Sequence, residues 1–356
     1  MNLSRTTLAI DCRMINSSGI GRYISDMLEN FIRLDVFKKI IYLGYKSDFK
    51  SDFHKHNVEF IHLTSKIFTI KEQIELYYKI PKCDIFWSPQ YNVPILPIKA
   101  KRRLVTIHDV YQLAYFSELS LLKKMYVKTM MNFSVKLSDY ILTDSVFSKK
   151  EIIKYTSVDK NKISVIYLGL SDTFSNKESI PIINEKYFLF VGNIKPHKNL
   201  KRLISAYKLF LKDNKNYVLY LVGKKDGFLN GDNGIEQDII GFEKYIKFTG
   251  FISDNKLKEY YKSSSLFIFP SLYEGFGYPV LEEMFFNVKI IASNIASIPE
   301  VGGKNMIYFD PYNIDDIVLK IKQALSDNIV DYSEQLNAFT INKMILNYVN
   351  FFENLD

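Results

Sequence analysis

Two carboxylates, Glu274 and Glu282, stand eight positions apart in the segment SLYEGFGYPVLEEMFFN, with Gly275, Phe276 and Gly277 after the first and Pro279 at the start of a helix. Glycines let backbone amides approach a ligand. A fresh helix N-terminus offers N–H donors and a positive dipole end to phosphate, and carboxylates accept from hydroxyls. Such a set suits a sugar nucleotide. The plain alternative is that Glu282 and Glu283 only favour the helix N-terminus electrostatically. A second cluster, NIKPHKNLKRLI, has Pro196 opening a helix with Lys198, Lys201 and Arg202 in its first turns. Cations there oppose the helix dipole, at about a few tenths of a kcal/mol each, so an anion is the expected partner and Lys198 its expected ligand. Lys201 and Arg202 read as solvent-facing.

Two further places could do chemistry. Strand LVTI runs into His108 and Asp109, and a His at a strand end can hydrogen-bond hydroxyls or carry a proton near neutral pH. The segment SSGIGRYI follows the first strand, but the third glycine of a dinucleotide fingerprint falls on Ile24, so that motif fails. Gly19 and Gly21 still give a side-chain-free approach for a diphosphate at a helix N-terminus. There is no Asp-x-Asp, no HExxH, no GxxxxGK[ST] and no GxSxG. Metal chemistry, ATP hydrolysis and serine hydrolysis are therefore not expected, and no cofactor or metal is.

The elements that must position these residues alternate. TLAIDC, IIYLG, VEFIHL, DIFWSP, RLVTIHD and DYILTDS read as strands with amphipathic stretches between them, the first helix running from about Gly21 to Arg33. YFLFVG, YVLYLVG, IKFTG, SLFIFPS, VKIIAS and NMIYFD repeat the rhythm, with a helix over about 198–212. Alternation of this kind means βα units on parallel sheets, so the fold class is α/β with two Rossmann-like domains. Ligands of such sheets bind at the carboxyl ends of the strands, where the residues above all lie. The expected organisation is an N-terminal domain over 1–170, a polar linker over 171–186 and a C-terminal domain over 187–335. A helix within 336–356 packs back on the first domain.

The 356 residues, 47% hydrophobic and 24% charged, exclude a peptide, a disulfide scaffold and a disordered chain. Cys12 and Cys83 are too few for a disulfide framework, the N-terminus carries no secretory pattern, and no segment is long and apolar enough to span a membrane. The cytoplasm is the expected compartment. Up to residue 180 there are 27 Lys and Arg against 18 Asp and Glu, and beyond it 20 against 21. The basic surplus is thus N-terminal, and that half is expected to face something anionic. Within it, SELSLLKKMYVKTMMNFSVKL combines Lys123, Lys124, Lys128 and Lys136 with apolar residues, compatible with peripheral attachment to a membrane or with an ordinary amphipathic core helix.

In order, SSGIGRY, TIHDVYQLAYF, LTDSVFSKKEI, VGNIKPHKNLKRLI, FTGFISDNKLKEYY and PSLYEGFGYPVLEE resemble the retaining glycosyltransferases of family 4. The resemblance spans about Gly19 to Pro311 and implies the GT-B fold, with two domains facing a central cleft. It implies a nucleoside-diphosphate-sugar donor held mainly by the C-terminal domain, a saccharide or lipid-diphosphate-linked saccharide acceptor on the N-terminal domain, and no metal. By the family pattern Glu274 meets the sugar hydroxyls, Glu282 the ribose, Lys198 the diphosphate, and the amides around Gly275, Phe276 and Gly277 the sugar and phosphate, with Leu281 and Asn193 on the same donor site. Gly19 approaches the diphosphate from the other side, His108 lies near the transferred sugar, and Phe251 with Ile252 line the base. Asn193 and His197 stand where many members carry Arg, which puts more of the phosphate charge on Lys198. The implied role is a hexosyl, preferentially mannosyl, transfer from GDP-mannose in surface polysaccharide synthesis (O-antigen, capsule or exopolysaccharide), on the cytoplasmic face of the inner membrane. Rival readings are a UDP-sugar transferase, a sugar-nucleotide epimerase of the same fold, and a basic nucleic-acid-binding protein. For the last no recognised module is present, so no nucleic acid is expected.

Overall fold

The computed structural model describes residues 1–49, 53, 55–116, 119–171, 174, 182–223, 234–328 and 331–355. They form two units, 1–169 with 341–356, and 170–340. In the first, β1 (Thr7–Asp11), α1 (Ser18–Leu34), β2 (Lys39–Gly44), β3 (Val58–His62), α2 (Ile70–Lys79) and β4 (Cys83–Ser88) come in order. β5 (Ala100–Thr106), α3 (Tyr111–Ala114), α4 (Leu121–Leu137), β6 (Tyr140–Thr143), α5 (Val146–Tyr155) and β7 (Ile163–Val165) follow. The second unit opens with β8 (Tyr187–Val191), α6 (Leu200–Leu211), β9 (Val218–Val222), α7 (Ile235–Asp238), β10 (Ile246–Gly250), α8 (Asp254–Ser263) and β11 (Leu266–Phe269). It continues with α9 (Tyr278–Phe285), β12 (Ile290–Ser293), α10 (Ile298–Gly302), β13 (Ile307–Phe309), α11 (Ile314–Ser326) and α12 (Ser333–Ala338). Then α13 (Ile341–Glu353) rejoins the first unit.

Both sheets are parallel. The order in the first is β3-β2-β1-β4-β5-β6-β7, and in the second β10-β9-β8-β11-β12-β13. Strands buried on both faces explain the continuous apolar runs: Phe188, Leu189, Phe190, Leu266, Phe267, Ile268 and Phe269 are all fully buried. In each sheet the order reverses beside one strand, at β1/β4 and at β8/β11. The crevice outside such a reversal is where open α/β sheets take ligands. The architecture is the expected two-domain α/β fold.

Some boundaries differ from the periodicity. The first helix starts at Ser18 rather than Gly21, and Lys198 lies in a short 3-10 turn, 196–198, ahead of α6. Residues 336–340 stay with the second unit, because Phe339 packs edge-on against Phe276 and its carbonyl accepts from the Leu170 amide at 2.8 Å. Part of the segment 171–186 lies outside the described residues.

α13 completes the core of the first unit. Phe352 packs on Phe31, Phe37 and Trp87, while the Tyr348 hydroxyl meets that of Tyr23, which in turn lies 3.0 Å from Thr106 Oγ1. Trp87 Nε1 donates to the same Thr106 oxygen at 2.9 Å. The end of β1 is fixed by charge. Buried Arg13 forks onto Asp11 and reaches Glu72 Oε2 at 2.9 Å, and Glu72 in turn accepts from Asn92 at 2.7 Å. Each of these three buried charges has a partner, which is the condition for keeping it buried.

Candidate active site

In the second unit the loops after the two reversal strands, β8 and β11, meet. Lys198 Nζ lies 2.5 Å from Glu274 Oε1 and 5.5 Å from the centre of the Phe269 ring, and both charged side chains are only 13% exposed. The pair is held from behind. Asn199, buried and in the left-handed conformation (φ 58°), donates from Nδ2 to the carbonyls of Pro270 (3.1 Å) and Pro311 (2.8 Å), and its Oδ1 accepts from Arg202 at 2.9 Å. It ties the lysine turn to the ends of β11 and β13. On the other side the Ser297 hydroxyl donates to the Glu274 carbonyl at 2.9 Å.

His197, just before the lysine, is neutral: burial, with Lys198 and Lys195 nearby, pushes its pKa down to about 2. It adds no positive charge where an arginine would, so the cation here is Lys198. Gly277 caps α9 at φ 98°, a conformation a Cβ would strain. Gly223 meets the Gly192 carbonyl so closely that a Cβ would lie 2.0 Å from its oxygen, which lets the ends of β8 and β9 converge beside Asn193.

Glu282 is buried and accepts from the Tyr261 hydroxyl at 2.7 Å. Glu283, also buried, accepts from Ser264 at 2.8 Å; desolvation, with Glu282 beside it, raises its pKa well above the usual carboxyl value, so it favours the protonated form. Phe276 and Leu281 are buried, so any contact from either to a ligand runs through the backbone. Phe251, 74% exposed, and half-buried Ile252 lie just after β10. The structure thus joins Lys198 to Glu274 directly and places Asn193, Gly275 and Gly277 on the loops after β8 and β11, while Glu282 is buried in the second turn of α9.

The first unit carries its own polar cluster. His108, after β5, puts Nδ1 2.6 Å from Asp144 Oδ2, after β6, and Nε2 3.1 Å from the Pro89 carbonyl. Both partners are acceptors, so the ring serves both only as the imidazolium. Desolvation disfavours that charge, yet Asp144, Asp109 and the carbonyl outweigh it and raise the pKa above the ordinary histidine value. The arrangement therefore favours the imidazolium form of His108. With both ring nitrogens engaged, a hydrogen bond to a substrate hydroxyl would have to displace one partner. A small cavity of about 70 Å³ beside it is lined by Ile20, Gln90, Tyr91, His108, Asp109 and Gln112. Gly19 is exposed in the first turn of α1, with open space where a side chain would stand. Among the described residues, no three His, Cys, Asp or Glu are grouped to hold a metal ion.

Asn199, Ser297, Asp144 and Gln90 are the site residues that motif reading did not single out. Asn199 was open to it, since Asn is a favoured helix cap. Asp144 lies 36 positions from His108 and only the sheet brings them together.

Residues 172–343 match the model of the glycosyl transferases group 1 family. The O-antigen chain mannosyltransferase B of Escherichia coli is 29% identical over 261 residues, 68% of this chain and 66% of that protein. The O-antigen chain mannosyltransferase RfbU of Salmonella typhimurium is 32% identical over 256 residues, 71% of this chain and 66% of that one. The matched part of the chain thus spans about two thirds of these relatives' length. Among solved structures, Anabaena Alr3699/HepE in complex with UDP-glucose superposes with a TM-score of 0.76 at 15% identity, over 99% of this chain and 100% of that one. This likeness gives the GT-B fold.

Proposed function

Since residues 172–343 form a group 1 glycosyl transferase domain, we propose that this chain is a retaining, metal-independent glycosyltransferase that moves mannose from GDP-mannose to a saccharide or lipid-diphosphate-linked saccharide in surface polysaccharide synthesis. The observation that carries the reading is the Lys198–Glu274 pair at the strand-order reversal of the second sheet, beside the glycine-capped start of α9. The mannosyltransferase relatives support the choice of sugar.

In this reading Lys198 takes the donor diphosphate and Glu274 the sugar hydroxyls. Their ion pair keeps the lysine extended and in place before the donor arrives, so its charge needs no reorganisation as the leaving phosphate gains charge. The leaving phosphate oxygen takes the acceptor proton as the new glycosidic bond forms on the same face. Glu282, Asn193, Phe251 and Ile252, with the amides of Gly275, Phe276, Gly277 and Leu281, belong to the donor. His108, Gly19 and the cavity beside them lie on the other unit, where His108 supplies positive charge rather than a base.

A thermal-shift screen with GDP-mannose, UDP-glucose, UDP-galactose, UDP-N-acetylhexosamines, dTDP-rhamnose and the bare nucleotides tests the donor, because a ligand of the native state raises the melting temperature. The expected result is a shift with GDP and GDP-mannose that survives EDTA. A shift confined to uridine nucleotides overturns the choice of base, one abolished by EDTA overturns metal independence, and no shift in a folded sample overturns the donor site.

A further inference from the structure

The loop after β11, which carries Glu274, is pinned from two neighbouring segments. From the lysine turn, Asn199 donates to the Pro270 carbonyl at 3.1 Å, and the His197 carbonyl accepts from the Leu272 amide at 2.7 Å. From the far side, after β12, two serines four positions apart reach the same loop. The Ser293 hydroxyl donates to the Phe269 carbonyl at 3.3 Å and the Ser297 hydroxyl to that of Glu274 at 2.9 Å. Phe269 is already held by strand pairing with β12. Ser297 bonds the peptide of the site residue itself, and a bond to a carbonyl fixes the peptide plane and with it the direction in which the side chain leaves the backbone.

Two local preferences are given up to make that bond. Ser297 is fully buried at the N-cap of α10, where a serine ordinarily turns its hydroxyl onto the first amides of its own helix. It makes no such bond, and the hydroxyl crosses to Glu274 instead. Ala296, immediately before it, sits in the left-handed conformation at φ 59°, which its Cβ disfavours and for which it has no polar side chain to compensate. Departures of this kind persist where the surrounding structure over-determines them, and they gather at ligand sites. Here they stand at consecutive residues behind the Lys198–Glu274 pair.

We infer that Ser297 is a positioning residue of the donor site: by holding the Glu274 peptide it aims the carboxylate at the hydroxyls of the transferred sugar, and the left-handed Ala296 keeps the serine hydroxyl turned to that task. Ser297 thereby serves recognition of the sugar and not of the nucleotide. The inference rests on the reading of Glu274 as the ligand of the sugar hydroxyls and adds to it the residues that set its aim.

The test is titration calorimetry of the full chain with GDP-mannose and with GDP, for the wild type, Ser297→Ala, Ser293→Ala, Glu274→Gln and the Ser297→Ala/Glu274→Gln double variant. Ser297→Ala is expected to bind GDP-mannose about tenfold more weakly and GDP within about twofold of wild type, and to add no loss in the Glu274→Gln background, because it acts through that carboxylate. Ser293→Ala, the matched control, should lower the melting temperature and keep the wild-type ratio of the two affinities. Without any ligand, amide hydrogen exchange over 271–277 should quicken in Ser297→Ala. Ala296→Gly, which keeps the hydroxyl and releases the backbone, should unfold at no lower urea concentration than wild type and weaken GDP-mannose alone, by a smaller factor; it carries the test if Ser297→Ala does not fold. Equal weakening of both ligands, a Ser297→Ala loss that adds to that of Glu274→Gln, or unchanged exchange overturns the inference. A wild type that binds neither ligand overturns the donor reading and the purpose of the tether with it. Because exchange needs no nucleotide, failure of the tether itself reads out separately.

Discussion

Lys198 sits between a carboxylate at 2.5 Å and the face of Phe269, which leaves its remaining ammonium protons for an incoming anion. Replacing it by Ala is expected to cut kcat about 10²–10³-fold, the usual cost of one well-placed donor to a developing oxyanion, with the circular dichroism spectrum unchanged. Glu274→Gln keeps the size and loses the charge. It should weaken donor turnover, because the ion pair that holds Lys198 goes with the charge, and near-normal turnover in either variant removes that residue from the mechanism. His108 gives a pH prediction whose sign is fixed by its partners. Its pKa is raised in the folded state, so the Asp144 contact stabilises the protein fully below the unfolded histidine value, near pH 6.5, and is lost as pH rises through the higher folded value. Melting temperatures of wild type and Asp144→Asn should therefore lie furthest apart in mildly acid buffer and converge in alkaline buffer. A gap that widens with pH overturns the imidazolium.

At the scale of an element, the turn between β8 and α6 is shaped by one side chain. Asn199 occupies a left-handed conformation and satisfies two carbonyls at the ends of neighbouring segments. Asn199→Ala leaves those carbonyls unpaired, at about 1–3 kcal/mol, and adds about 1–2 kcal/mol for the left-handed backbone. Asn199→Gly loses only the first part. Urea unfolding should rank the two in that order, and both should lower kcat beyond their effect on stability because Lys198 moves with the turn. Equal stability losses would mean that the backbone strain is negligible.

For the molecule as a whole, the chain returns to its first unit at the end. α13 lays Tyr348 and Phe352 against Trp87, with ring centres 5.7 and 6.3 Å away, and Trp87 is the one tryptophan of the sequence. Tryptophan emission thus reports the surroundings of this one residue, α13 among them. Phe352→Ala is expected to destabilise by about 3–5 kcal/mol and to shift the emission to the red, and deletion of 341–356 to do so more strongly. Unchanged emission on deletion would mean that α13 does not cover Trp87.

The alternation of apolar strands and amphipathic helices was enough to specify two parallel sheets, because strands buried on both faces need continuous apolar runs. It also put the chemically active residues in order after those strands. Local pattern told where Lys198, Glu274 and His108 fall along the chain, since Pro, Gly and charge punctuate loops within a few residues. It could not tell what each touches. Asp144 reaches His108 and Glu274 reaches Lys198 across 36 and 76 positions, through strand order alone. The same holds for helix faces. Ile70, Ile74, Tyr77 and Tyr78 have a composition that suits a core, and only the packing of Leu76 and Ile80 inward decides that they face water.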